Sequence, residues 1–156
     1  MLKESLIENK AIKLGVSASN WQEAVKIGTD LLVASGAVEA RYYDKIISNI
    51  NELGPYVILA PGLAMPHARP EDGVNRTAFA LVTLKDPICF DNDDTPIQVL
   101  VTLAGSDNDV HMQGIVEITQ LFDDDDPDSE TGVDTQSIVN CSTKEEVFAI
   151  IDKKIN

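Results

Sequence analysis

The chain has 156 residues, of which 44% are hydrophobic and 24% charged, with a formal net charge of −14 and a pI near 4.3. That length and composition suit one globular domain, residues 1–156, able to bury a core without staples. The acidic balance argues against nucleic acid or an anionic membrane as the main partner, since both select basic patches. It permits a basic protein partner drawn in by long-range attraction, and equally a charge that serves only solubility.

No apolar run approaches the roughly 18 residues of a membrane span, so no direct membrane insertion is expected. The start of the chain, Met1 to Glu8, lacks the basic stretch and apolar core of a signal peptide. Cys89 and Cys141 do not make a disulfide framework and read as buried or incidental thiols. Together these point to a reducing, cytoplasmic setting.

Leu2 to Glu8 is expected to form a short helix and Ala11 to Leu14 a short strand. Either Ser19 with Gln22 or Asn20 with Glu23 then fits a capping box. Trp21, Ala24, Val25, Gly28, Leu31 and Leu32 follow at helical spacing until Gly36. A second helix is expected over Glu39 to Leu53, with Tyr42, Tyr43, Ile46, Ile47 and Ile50 as its apolar stripe and Gly54-Pro55 as its stop. Tyr56 to Ala60 reads as a buried strand, followed by a Pro/Gly loop. Thr77 to Leu84 reads as a strand closed by Asp86-Pro87, and the almost continuously apolar Ile97 to Ala104 as a central strand buried on both faces.

Gly105 to Asp109 is a turn rich in N-cap residues, and His111 to Phe122 has the periodicity of a helix. Asp123 to Asp134 is a charged run expected to be a solvated loop; its spacing misses the EF-hand calcium pattern. Ser142 with Glu145 is expected to cap a last helix, whose closing Lys153 and Lys154 suit its dipole. Helices interleaved with strands indicate a single-domain α/β sandwich around one sheet.

The chemistry concentrates on the two histidines. His67 follows Pro66 in a loop stiffened by Pro61 and Pro66, and Arg69 lies two residues on. A neutral imidazole is a good nucleophile near pH 7, and the guanidinium is a planar donor fork suited to phosphoryl oxygens. His111 sits near a helix start, where the imidazolium is disfavoured and anions are favoured. Zinc needs about four ligands, usually closely spaced, and neither His-x-x-His nor Cys-x-x-Cys occurs. The Gly-x-Ser-x-Gly elbow, the nucleotide-binding Gly-rich loop and the dinucleotide fingerprint are also missing, so no cofactor is implied. A protein that handles phosphate without such a loop can receive it already activated from another protein.

The residues Leu63-Ala-Met-Pro-His67, Asp109-Val-His111-Met-Gln113, Arg41-Tyr-Tyr43, Arg69-Pro-Glu71 and Ala78-Phe-Ala-Leu-Val-Thr-Leu-Lys85 carry a resemblance. The chain resembles the type-2 IIA components of the bacterial sugar phosphotransferase system, the mannitol/fructose class, and within it the ascorbate-specific branch. The resemblance implies a mixed β-sheet flanked by helices. It implies that the phosphocarrier HPr donates a phosphoryl group to His67, on Nε2. A cysteine of the cognate IIB component would then receive it, and the membrane IIC component would take up and phosphorylate ascorbate or a related sugar. It makes His111 a stabiliser of the phosphoryl group and Arg69 a candidate electrostatic support. Mannitol-type members carry an arginine on the helix before the active loop; an ungapped count places that position near Asn51 here. Two alternatives stand beside this reading: a regulatory IIA-like protein acting through protein contacts, and a metal-dependent hydrolase using His67 and His111.

Overall fold

A computed structural model describes residues 1–155 of the chain. The elements in order are α1 (Leu2–Glu8), β1 (Ile12–Val16), α2 (Trp21–Ala34), α3 (Arg41–Leu53), β2 (Ile58–Ala60), β3 (Gly62–Ala64), β4 (Ala78–Ile88), β5 (Ile97–Ala104), α4 (Asn108–Leu121), α5 (Gln136–Val139) and α6 (Lys144–Lys154). The strands form one five-stranded sheet in the order β1-β4-β5-β3-β2. β4 runs antiparallel to β5 and β2 to β3, while β1–β4 and β3–β5 are parallel, so the sheet is mixed as expected.

Helices cover both faces. A Cβ added at Gly28 of α2 would meet Thr102 and Val82, whereas one added at Gly114 of α4 would meet Leu103 and Phe79. Successive strand side chains point to opposite faces, so these contacts place α2 and α4 on opposite sides of the sheet. β5 is accordingly central, and the side chains from Val99 to Ala104 are buried. That matches its unbroken apolar sequence.

Several boundaries differ from the sequence expectation. α2 is capped by Asn20, whose side chain accepts from the Glu23 backbone N–H at 2.8 Å, and not by Ser19. α6 is capped one residue later than expected, by Thr143 with Glu146. α4 starts at Asn108 with Asp107 as its cap, ahead of the expected start at His111. β2 is a short edge strand with Leu59 exposed, not the buried strand expected over Tyr56 to Ala60. β4 continues past Leu84 to Ile88, because the register between β4 and β5 shifts between Thr83 and Ile88, and Pro87 falls in that irregular stretch. The acidic run is a surface loop. Its base is pinned by a bridge between Asp123 and Val133 and by Asp124 N–H donating to the Gly132 carbonyl at 2.9 Å.

Candidate functional site

The two histidines, 44 positions apart in sequence, lie side by side. Their ring centroids are 5.1 Å apart with planes inclined at 58°. They meet at one wall of an open groove of about 660 Å³, whose opposite wall is α3.

His67 reaches this place on a backbone tied down at each step. β3 leads into Met65, whose N–H donates to the Val57 carbonyl at 2.7 Å. The Pro66 carbonyl accepts from Leu103 N–H of β5 at 3.0 Å. Gly62 opens β3 at φ +86°, a left-handed conformation that side-chain-bearing residues rarely adopt. The expected rigid presentation therefore rests on β5 and the strand pair beside it as much as on the prolines.

The His67 ring is half-buried, and its Nδ1 lies 2.7 Å from the Met65 carbonyl oxygen. A carbonyl can only accept, so Nδ1 carries the proton and donates it. That leaves Nε2 as the lone-pair nitrogen. Burial pushes the His67 pKa below its usual 6.5, opposed by the Met65 hydrogen bond. Tyr56 stands edge-on to the ring, with centroids 5.2 Å apart and planes at 84°, and its hydroxyl donates to the His67 carbonyl.

His111 lies in the first turn of α4, where the Asp107 side chain accepts from Val110 N–H at 2.9 Å. The backbone here runs close to the end of β5. A Cβ at Gly105 would fall 2.9 Å from His111 Cβ and 3.0 Å from its Cα, so only glycine fits without displacing the turn. Burial, and then the neighbouring His67, push the His111 pKa down. Its Nδ1 is buried with no hydrogen-bond partner among the described residues. An unpaired nitrogen is least costly there without a proton, which places the N–H on Nε2 as a donor.

Arg69 lines the same groove and is exposed. Its backbone N–H donates to Asp72 at 2.9 Å, while its guanidinium makes no ion pair among the described residues. On α3 the groove is faced by Lys45, Asn49, Glu52 and Leu53, a helical spacing that excludes Asn51. The ungapped count to Asn51 therefore lands off the groove face, and Lys45, Asn49 and Glu52 are the polar α3 groups that line it.

Three site residues escaped sequence reasoning: Tyr42, Tyr56 and Gly105. Tyr42 was visible as part of an apolar helical stripe and of the Arg41-Tyr-Tyr43 resemblance, neither of which gave it a role, yet its buried hydroxyl donates to the Leu103 carbonyl at 2.7 Å and accepts from Ala68 N–H at 2.9 Å. No group of three or more His, Cys, Asp or Glu side chains suited to a metal ion occurs among the described residues.

Comparison with known proteins decides the family. Residues 5–154 match the model of the phosphoenolpyruvate-dependent sugar phosphotransferase system, EIIA 2. The chain belongs to this EIIA family. It is a phosphotransferase component, as its resemblance implied. It is 47% identical over 154 residues to the ascorbate-specific PTS system EIIA component of Escherichia coli K12, covering 97% of this chain and 96% of that protein. A Streptococcus mutans protein described as a PTS IIA superposes with a TM-score of 0.89 at 43% identity, covering 98% of this chain and 94% of the other. Enzyme IIA of the E. coli mannitol system, solved in complex with phosphorylated enzyme IIB, shares the fold with a TM-score of 0.76 at 22% identity, covering 92% and 95%. These likenesses bear out the type-2 assignment, the mannitol-like fold and the likeness to the ascorbate branch.

Proposed function

We propose that this EIIA chain acts as one phosphoryl-carrying domain over residues 1–156, with Nε2 of His67 as the atom that takes the group. The observation that carries this reading is the bond from His67 Nδ1–H to the Met65 carbonyl. It fixes the tautomer with the lone pair on Nε2, and the lowered pKa keeps that lone pair unprotonated at pH 7. HPr is the donor. The Nε2 lone pair attacks phosphorus in line, the N–P bond forms as the bond to the donor breaks, and the donor keeps the electron pair. The ring becomes cationic as the bond forms, and the Nδ1–H···O=C bond strengthens with that charge.

The transition state is loose, with charge on the equatorial oxygens, so the site's contribution is positioning and donors. In this reading His111 Nε2–H donates to one of those oxygens, and Arg69 supplies a nearby cation. The phosphoryl group then passes to the cognate IIB component, as in the mannitol system whose IIA and IIB were solved together. IIB in turn serves the membrane IIC component in uptake of ascorbate or a related sugar; the E. coli relative at 47% identity favours ascorbate. The reading takes the cytoplasm as the place where the chain meets these partners. No helix among the described residues is long and apolar enough to cross a membrane.

Incubation with phosphoenolpyruvate, enzyme I and HPr, followed by mass spectrometry, tests the reading. Acid-labile phosphate is expected on the wild type and not on His67→Gln. Its appearance on His67→Gln, or its absence from the wild type, would overturn it.

A further inference from the structure

We infer that Tyr42 is a positioning residue that sets the spacing between the two imidazoles; the inference rests on the phosphoryl-carrier reading above. Among the described residues, its hydroxyl is the one side-chain group bonded to the backbone on both sides of the site. It accepts from Ala68 N–H at 2.9 Å, immediately after His67. It donates to the Leu103 carbonyl at 2.7 Å, two residues before the glycine on which His111 packs. The Ala68 carbonyl, at 3.4 Å, is the poorer acceptor, so the single hydroxyl proton goes to Leu103.

The location makes this a constraint and not a decoration. Tyr42 is fully buried, and burial pushes its pKa well above the usual 10, so the hydroxyl stays protonated and neutral. It hangs from α3, the helix that forms the far wall of the groove. One atom thereby joins three parts that are distant in sequence: α3, the His67 loop and the end of β5. Leu103 N–H already clasps Pro66, so Leu103 is held toward the His67 loop through both its N–H and its carbonyl. A shift of β5 relative to the loop changes the 5.1 Å distance between the rings, and the Tyr42 hydroxyl resists it. Reactions that depend on positioning lose rate steeply for displacements on the order of 1 Å.

A double-mutant cycle on the rate of phosphoryl transfer from phospho-HPr reads this out, using wild type, Tyr42→Phe, His111→Ala and the pair. Tyr42→Phe keeps the ring and leaves two buried backbone groups unpaired; we expect it to fold and to transfer roughly tenfold more slowly, mainly in kcat. His111→Ala should then cost far less in the Tyr42→Phe background than in wild type, because the donor is already misplaced. Multiplicative effects would overturn the inference, since a merely structural tyrosine adds independently. Should Tyr42→Phe fail to fold, 3-fluorotyrosine at position 42 keeps the ring and hydroxyl and alters the bond strength. Imidazole nitrogen resonances of His67 and His111 should then move together, and movement of neither or only one would sink the idea. Wild type that takes up no phosphate on His67 would instead count against the carrier reading itself.

Discussion

The two histidines share a wall of one groove and are held in opposite ways. His67 has its Nδ1 committed to a backbone carbonyl, a tyrosine ring nearly perpendicular to its own and a second tyrosine behind the next residue. His111 is fixed through its backbone, by a capped helix turn seated on Gly105, and its Nδ1 has no partner among the described residues. The difference suits the two roles proposed for the rings. A nucleophile must present one lone pair in one tautomer, so its ring is bonded. A group that only donates to a developing charge needs to be near and neutral, and its remaining nitrogen can go unbonded at a modest cost.

The largest effect should come from removing the bonded ring: His67→Gln is expected to take up no phosphate, measured by intact mass after incubation with the full donor chain. Removing the unbonded ring should leave the reaction possible but slower. For His111→Ala a drop on the order of 100-fold in the transfer rate is expected, by analogy with loss of one oxyanion donor. Rapid-quench kinetics check it, and an unchanged rate would remove the donor role and with it the contrast.

The pH profile probes both rings at once. Both pKa values lie below 6.5, so both rings are neutral at pH 7, and the transfer rate should fall as pH drops through the folded-state values. The stability sign is the same. Between 6.5 and the lowered values the unfolded chain binds more protons than the folded one. The contribution of the neutral rings is therefore full above 6.5, falls with acidification and is lost below the folded values. Denaturant titrations over that interval should show it, with a smaller slope in His111→Ala.

Arg69 lies outside the bonded framework, exposed on the rim. Arg69→Gln should slow transfer by about fivefold or less at low salt, with the difference shrinking as salt rises. The smallest effect on transfer is expected at a distant cap. Thr143→Ala removes the acceptor for Glu146 N–H and should destabilise the fold by about 1 kcal/mol without changing the transfer rate. It calibrates how much of any loss at the site is mere loss of stability.

Much of this was legible in the sequence, and the failures have physical causes. α2, α3, α4 and α6 announced themselves through apolar periodicity, and β5 through an apolar run buried on both faces. β3 was invisible, because Gly62–Ala64 is only three residues long and sits between prolines that read as loop. α5, with four residues, lacks the turns needed for periodicity. Pro87 seemed to end β4 but falls where pairing lapses. His67 stood out by its loop and His111 by its helix start, yet their 5.1 Å approach depends on β3 lying beside β5, a tertiary fact that spacing alone does not hold. Tyr42 and Tyr56 were counted for their rings, whereas their hydroxyls do the placing.

The single bond from His67 Nδ1 to Met65 has a stereochemical consequence. On the proposed carrier reading, with one nitrogen closed off, the phosphoryl group would arrive at and depart from the same atom, through the same mouth of the groove. Donor and acceptor must therefore alternate, never meeting on the carrier. Each in-line displacement inverts the configuration at phosphorus. Two successive inversions at one nitrogen return it to its starting hand, so a chirally labelled phosphoryl group should leave this protein with the configuration it brought.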